Sequence, residues 1–456
     1  MAGPRALFLL GFLVPGLLLS EAAKILTVSS LGGSHYLLVE RVSQILQDHG
    51  HNITMLRYRG NILIPEKKEK TYQAISWHLP EDHEKEIKKC LNFFVTEALH
   101  GREAHENYVK LMEQLGTRCS HLLRRSDIMH SLTNENFDLV FVEAFDFCSF
   151  LLAEKLGKPF VSILPTPFGS VDFGLPNPLS YVPVFQSLLT DHMDFWGRVK
   201  NFLMFFDFSI RNWQIYSTFD NTIKEHFPEG SRPVLSQLLK KAELWFVNSD
   251  FAFEFARPLL PNTVYVGGLM AKPVKPLPPE FEHFIAKFGD SAHPRIRLFV
   301  THGGLNSIME AIQHGVPMVG IPILSDQHEN VFRIEAKNLG VSLQLKQMKA
   351  EMLALKMKQV MEDKRYKSAA VAASIIRRSH PLTPAQRLVG WTDHILQTGG
   401  AAHLKPHTLQ QPWHEQYLLD VFLFLLLVTL VPVWLCGKLL GLAARWLCGA
   451  RKLKEA

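Results

Sequence analysis

The run Phe299-Val-Thr-His-Gly-Gly-Leu-Asn-Ser-Ile-Met-Glu-Ala-Ile-Gln-His-Gly-Val-Pro-Met-Val-Gly-Ile-Pro322, continuing to Asp326 and Gln327, carries the fold of this chain in miniature. It reads as a strand over Ile296–Thr301, a turn at His302-Gly303-Gly304, a helix over Asn306–His314 and a second strand over Val316–Ile321. A buried strand that feeds a glycine turn leaves the first amides of the following helix unpaired, at the positive end of its dipole. An anionic diphosphate suits that position. His302, Asn306 and Ser307 can add side-chain donors beside Gly304. Glu310, one turn further on, can accept both hydroxyls of a ribose, and Asp326 and Gln327 can meet the hydroxyls of a sugar.

The same grammar recurs upstream. Lys24–Ser29 is a short β-branched strand, followed by Gly32-Gly33-Ser34 and a helix with Leu38, Val42 and Ile45 on one face that closes at Gly50. Strands follow at Asn52–Tyr58, Phe137–Glu143, Lys158–Leu164, Trp245–Asn248 and Val264–Val266, with a helix over Cys148–Leu156. Alternating strands and helices predict α/β lobes with parallel sheets covered on both faces. Glu81–Arg125 is polar and helix-prone, whereas Phe168–Phe208 reads as loop-rich and aromatic. Phe195, Trp196, Phe202, Phe205, Phe206 and Phe208 there suit an apolar acceptor pocket, a membrane-facing patch or a satellite core. Lys272–Pro279, rich in proline, marks a stiff link between lobes.

A length of 456 residues suggests two or three domains at roughly 150 residues each. Hydrophobic residues make up 47% and charged residues 20%, with 49 basic against 43 acidic side chains. That balance is too apolar and too mild for a disordered polycation or a nucleic-acid-binding chain. Cys90, Cys119, Cys148, Cys436 and Cys448 are too scattered for a zinc site. The first three allow at most one disulfide, and buried thiols are the simpler expectation.

Arg5, the apolar run Ala6–Leu19 and the small residues Ser20 and Ala22 read as a secretory leader over residues 1–22. Val421–Gly437 carries no charge over 17 residues, close to the minimum for a helix crossing ~30 Å of hydrocarbon. The basic tail beyond it, from Lys438 to residue 456, places that end in the cytosol and the body in the lumen. Asn52-Ile53-Thr54 is the only glycosylation sequon in the sequence. Lys452 and Lys454 resemble a dilysine retrieval signal, which points to the endoplasmic reticulum membrane and a single-pass type I arrangement.

The whole Phe299–Gln327 run resembles the signature of the membrane-bound UDP-glycosyltransferases. The leader, the Leu31-Gly-Gly-Ser-His start, Pro178-Leu-Ser-Tyr-Val-Pro, Asp191-His-Met and the C-terminal anchor extend the resemblance over nearly the whole chain, and it is nearest to the mammalian family 3 members. The resemblance implies two Rossmann-like lobes, the two-domain glycosyltransferase fold. It implies transfer of a sugar from a UDP-sugar to a small lipophilic acceptor with inversion, without metal and without any cofactor beyond that co-substrate. His35 matches the catalytic base, and Glu143 stands where relatives carry the aspartate that orients it, with Asp146 as the alternative partner. Related transferases are implied as homo- or hetero-oligomeric partners.

One departure is large. Relatives carry about three strands between the proline link and the His302 strand, whereas Glu280–Arg295 offers sixteen residues, and half of a doubly wound sheet needs roughly 70. The C-terminal lobe is therefore expected to be truncated and its donor site incomplete, with exposed sheet edges. The expected divisions are residues 23–270 for the acceptor lobe, 271–280 for the link, 281–400 for a partial UDP-sugar lobe, 401–420 for a juxtamembrane segment and 421–437 for the span. Two functions follow, a UDP-glycosyltransferase or a non-catalytic membrane partner of full-length relatives.

Overall fold

The computed structural model describes residues 22–60, 72–102, 104–166, 174–271 and 296–452. The expected leader up to Glu21, the proline link from Lys272 and the junction within Glu280–Arg295 lie outside the described residues. The chain forms two compact units, Met1–Leu404 and Lys405–Ala456.

The first lobe runs β1 (Lys24–Ser29), α1 (Gly33–Asp48), β2 (Asn52–Tyr58), β3 (Gln73–Trp77), α2 (Glu81–Leu99), α3 (His105–Leu123), α4 (Ser126–Glu135), β4 (Leu139–Glu143), α5 (Phe147–Leu156), β5 (Phe160–Leu164), α6 (Phe195–Ser217), α7 (Asp220–His226), α8 (Leu235–Leu239), β6 (Trp245–Val247) and β7 (Thr263–Tyr265). Its strands pair in the order β3-β2-β1-β4-β5-β6-β7, all parallel. Every residue of β4 and β5 is buried, which is why their sequences are near-continuous apolar runs rather than alternating ones. Ile25 sits opposite Ile53 on one side and Leu139 on the other. These residues pack with Leu38, Val42, Phe141 and Phe246 in one core. Truncating Phe141 to alanine there would cost about 3–5 kcal/mol.

Three features differ from the sequence expectations. β3 was not foreseen, because Gln73–Trp77 is short and only partly buried apart from Trp77. The aromatic stretch expected as loop up to Phe208 becomes the 23-residue helix α6 from Phe195, whose N-cap Asp194 accepts from the Gly197 amide. Cys119 and Cys148, expected as buried thiols, form a disulfide between α3 and α5 with a Cα–Cα separation of 5.3 Å. Packing those helices together brings two buried sulfurs within bonding reach.

The second lobe contains β8 (Phe299–Thr301), α9 (Leu305–Gln313), β9 (Met318–Gly320), α10 (Gln327–Ala336), β10 (Gly340–Ser342), α11 (Ala350–Glu362) and α12 (Lys364–Arg378). Its parallel sheet has the order β10-β9-β8, and Ile308, Met309, Ile312, Met318 and Ile334 build its core. β8 is an edge among the described residues, with Phe299 38% and Val300 39% exposed.

The next helix, α13 (Pro384–Thr398), returns to the first lobe. Thr383 and Gln386 cap its start reciprocally and Pro384 opens it, while Gly399 ends it in the left-handed conformation. Leu388, Val389 and Ile395 belong to the first lobe's core, so residues assigned from sequence to the second lobe complete the first. Asp393 fastens this crossing by accepting from His49 Nε2 at 3.0 Å and His51 Nε2 at 2.9 Å.

In the second unit, α14 (Trp413–Gln416) precedes α15 (Leu419–Lys452). The stretch Leu419–Trp446 of α15 is 28 residues long and apolar enough to cross a membrane, longer than the charge-free core because the helix continues through Lys438 and Arg445. Pro432 lies inside it.

Candidate active site

His35 stands in the first turn of α1, directly after the central strand β1. Gly33 makes that position possible, since its φ of +62° is open to glycine and strained for other residues. Glu143 ends the neighbouring strand β4 and is buried. Both lie at the carboxyl ends of β1 and β4, where the strand order reverses and a doubly wound sheet opens its crevice. His35 Nδ1 approaches Glu143 Oε2 to 3.3 Å. The contact is close but not aligned as a hydrogen bond, and neither atom has another partner. The other carboxylate oxygen, Oε1, accepts the Phe145 amide at 3.0 Å, which fixes the side chain. Burial works against protonation of His35. Glu143, helped by the fields of Asp326 and Asp146, outweighs it and holds the imidazole above its ordinary value.

Asp146, the alternative partner, is placed differently. Its Oδ2 accepts the Ser30 amide at 3.2 Å and so steadies the turn that leads to His35, while Glu143 makes the direct approach. Burial pushes the Asp146 carboxyl up, against the pull of Arg118 and Ser30.

A cavity of about 480 Å³ opens beside His35 and is walled largely by apolar side chains, including Phe94, Met112, Phe147, Phe208, Ile215 and Trp245. His35 is 31% exposed at its side chain and lines this cavity. Of the aromatic group singled out in the sequence, Phe208 reaches the cavity, whereas Phe195, Trp196, Phe202 and Phe206 are exposed on the outer side of α6. Arg118 also lines the cavity, and sequence reasoning missed it. It is buried, its guanidinium lies 5.1 Å from the Tyr58 ring centre, and burial lowers its pKa against the field of Asp146. The signal was present in the sequence, as Arg118 interrupts the stripe Leu111, Leu115, Leu122 of α3 with a cation.

The second lobe reaches the cavity with Leu324 and Ser325, and its glycine turn lies in the same lobe. Gly304 is the N-cap of α9, and no side chain caps the helix, so its first amides point outward from the turn. The turn is held in shape from within. The Gly303 amide donates to Thr301 Oγ1 at 3.2 Å, and its carbonyl accepts from Asn330 Nδ2 at 3.0 Å. With φ at +90° and the Val331 Cγ2 2.6 Å from any added Cβ, a side chain at Gly303 would be strained and would displace Val331. Asn306 Oδ1 accepts from Asn248 Nδ2 at 2.9 Å, which leaves the Asn306 amide group as the donor. Ser307 is half-buried, while His302 and Glu310 are exposed.

Asp326 is the residue of this lobe whose charge reaches His35. Burial pushes its carboxyl up, against a 2.7 Å hydrogen bond from Asn330, the His35 imidazole and the Thr166 side chain. Gln327 Oε1 accepts the amides of Ile323 and Leu324, so its amide nitrogen remains to donate. Leu324 and Ser325 border the cavity itself. Of the residues read from the sequence, His35, Glu143 and Asp146 of the first lobe and Asp326 of the second come within one another's fields.

An imidazole and carboxylate at the switch point of one Rossmann-like lobe, within the field of a carboxylate from a second, is the layout of a two-lobed α/β enzyme. The sequence profile of the UDP-glucoronosyl and UDP-glucosyl transferase family matches residues 23–292 and 291–454, and the chain belongs to that family. It is 64% identical to UDP-glucuronosyltransferase 3A1 of Bos taurus over 523 aligned positions, covering all of both chains. To UDP-glucuronosyltransferase 3A2 of Homo sapiens it is 64% identical over 522 positions, again covering all of both. The solved glycotransferase of kitacinnamycin shares the fold, with a TM-score of 0.50 at 14% identity over 82% of this chain and 98% of that one. The family match breaks at residues 291–292, and the alignments run over 523 positions against 456 residues here. The protein is a UDP-glycosyltransferase in a shortened form, and the break falls inside the Glu280–Arg295 stretch.

Proposed function

We propose that His35 is the general base of an inverting transfer. The cavity receives a lipophilic alcohol or phenol with its hydroxyl at His35 Nε2, since Nδ1 is turned to Glu143. The hydroxyl oxygen forms a bond to the anomeric carbon of a UDP-sugar from the face opposite UDP, the bond from that carbon to the diphosphate oxygen breaks, and the hydroxyl proton passes to Nε2. Glu143 steadies the imidazolium that results, and Asp146 acts by holding the Ser30 turn. The departing charge falls on the open amides after Gly304, with His302, Asn306 and Ser307 as further donors and no divalent ion in the scheme. Glu310 takes the ribose hydroxyls, and Asp326 and Gln327 take those of the transferred sugar. The observation that carries this reading is the apolar cavity with His35 on its wall and the charge of Asp326 within reach.

The test restores the missing block between Asp290 and His293 and supplies radiolabelled UDP-sugars with a panel of phenols to the detergent-purified protein. Transfer that disappears in His35→Ala supports the proposal, and no transfer by the restored chain with any donor refutes it. A second reading is favoured by the exposed edge of β8, that the shortened chain associates with full-length relatives as a non-catalytic partner. Co-expression and pull-down with a full-length relative decides it, with no association counting against it.

The compartment belongs to the same proposal. The Cys119–Cys148 bridge suits an oxidising lumen, and Asn52 is exposed at the start of β2 where a glycan has room. We place the body in the lumen of the endoplasmic reticulum behind its leader and the basic tail in the cytosol. A glycosidase-sensitive mass shift that vanishes in Asn52→Gln is expected, and an unglycosylated chain would count against this orientation.

A further inference from the structure

Helix α6 has two contrasting faces. Inward, Phe208 and Ile215 line the cavity. Outward, Phe195, Trp196, Phe202, Leu203, Phe206, Ile210 and Trp213 are all more than half exposed, Trp196 by 72% and Trp213 by 69%. At 100° per residue these seven fall within about one third of the helix circumference, and the stripe runs about 27 Å along the axis. An uninterrupted row of large apolar side chains on the outside of a lobe needs a cover other than water.

We infer that a lipid bilayer provides that cover, with α6 lying in the interfacial layer parallel to the membrane plane. Three observations select lipid over a second protein. Trp196 and Trp213 sit near the two ends of the stripe, and the indole ring is the side chain that favours the headgroup boundary. Arg198 and Lys200 are exposed on the flanks of the stripe, anchored to the Met193 and Ser187 carbonyls, where their remaining N–H groups can meet phosphate groups while the apolar face enters the acyl layer. The chain also carries its own membrane-crossing candidate in Leu419–Trp446, and tethering to a bilayer raises the effective concentration of that surface for the rest of the chain. Consequently a single helix separates the lipid from the cavity, with one face turned to each.

The experiment uses the full chain reconstituted in vesicles of phosphatidylcholine with a minor fraction of phosphatidylserine, with or without bromine on the acyl chains. Fluorescence of the native chain minus that of Trp196→Phe, and likewise of Trp213→Phe, isolates the two indoles from the other tryptophans. Brominated lipid is expected to quench each difference signal by about half or more, while aqueous iodide leaves it unchanged. The triple variant Phe202→Glu, Phe206→Glu, Ile210→Glu changes only exposed positions. It should return both indoles to iodide and release them from bromine. Quenching by iodide with no effect of brominated lipid in the native chain would overturn the inference. Shielding from both quenchers would overturn it as well, because it would mean that a second copy of the chain covers the stripe.

Discussion

The two lobes are assembled from the same strand and helix unit but differ in completeness. The first pairs seven parallel strands, with β4 and β5 wholly covered, and its crevice holds His35 against Glu143. The second pairs three among the described residues, where β8 stands at the edge with Phe299 and Val300 exposed. Nevertheless the turn at Gly303 and Gly304 keeps its internal hydrogen bonds, because its supports, Thr301 and Asn330, lie within the retained segment. In the proposed scheme, acceptor chemistry therefore depends on a finished lobe and donor chemistry on one preserved turn.

The largest effect should come from the finished side. In a chain with the missing block restored, His35→Ala is expected to lower turnover about 10²–10⁴-fold, measured with labelled UDP-sugar. A loss of less than tenfold would place the base elsewhere. Next, restoring the block should strengthen UDP binding about 10–100-fold by calorimetry, the gain expected if the restored strands give the base an aromatic side chain to stack on, worth about 1–3 kcal/mol. Equal affinity with and without the block would show that the turn alone sets donor binding, and the contrast between lobes would lose its functional meaning.

Gly303→Ala tests the turn itself. Its left-handed φ and the nearby Val331 should cost about 1–3 kcal/mol in thermal or denaturant unfolding. Gly230→Ala, where an added Cβ meets nothing within 4 Å, should stay within about 0.5 kcal/mol. Equal losses would mean that Gly303 is not under steric constraint.

The pH profile sharpens the role of Glu143. His35 titrates above its ordinary value, so the base form, and with it kcat/KM, should be lost as pH falls through that raised value. Glu143→Gln removes the main opponent of burial, and the acid limb should move to lower pH. An unmoved limb would assign the field to Asp326 and Asp146 instead. The same shift stabilises the folded chain fully below about pH 6.5, and that contribution fades as pH rises through the folded value. The smallest change is expected from Val300→Lys on the open edge, about 0.5 kcal/mol or less in stability with reduced self-association by light scattering. A large loss of stability would show that β8 is covered after all.

Much of this was legible in the residues. β1, β2, β4 and β5 are short, largely apolar and β-branched segments because a parallel sheet buries both of their faces, and α9 follows a glycine turn after a strand. His35 and Asp326 were each readable as site residues because both lie in the loop-to-helix segments that follow parallel strands. What escaped was decided by packing between distant parts of the chain. Arg118 looks like any helix charge until α3 turns it into the cavity. The Cys119–Cys148 bridge depends on how α3 meets α5. The return of α13 to the first lobe has no local sign at all, since an amphipathic helix does not specify which core it will enter.

That return bears on synthesis. Leu388, Val389 and Ile395 fill the interior of a lobe whose first strand begins at Lys24. The amino-terminal half therefore emerges from the ribosome with a gap on its flank and must wait for nearly four hundred residues to be made before it can close. Any chain released before Pro384 would present that unfilled flank to chaperones and proteases, however complete its catalytic strands.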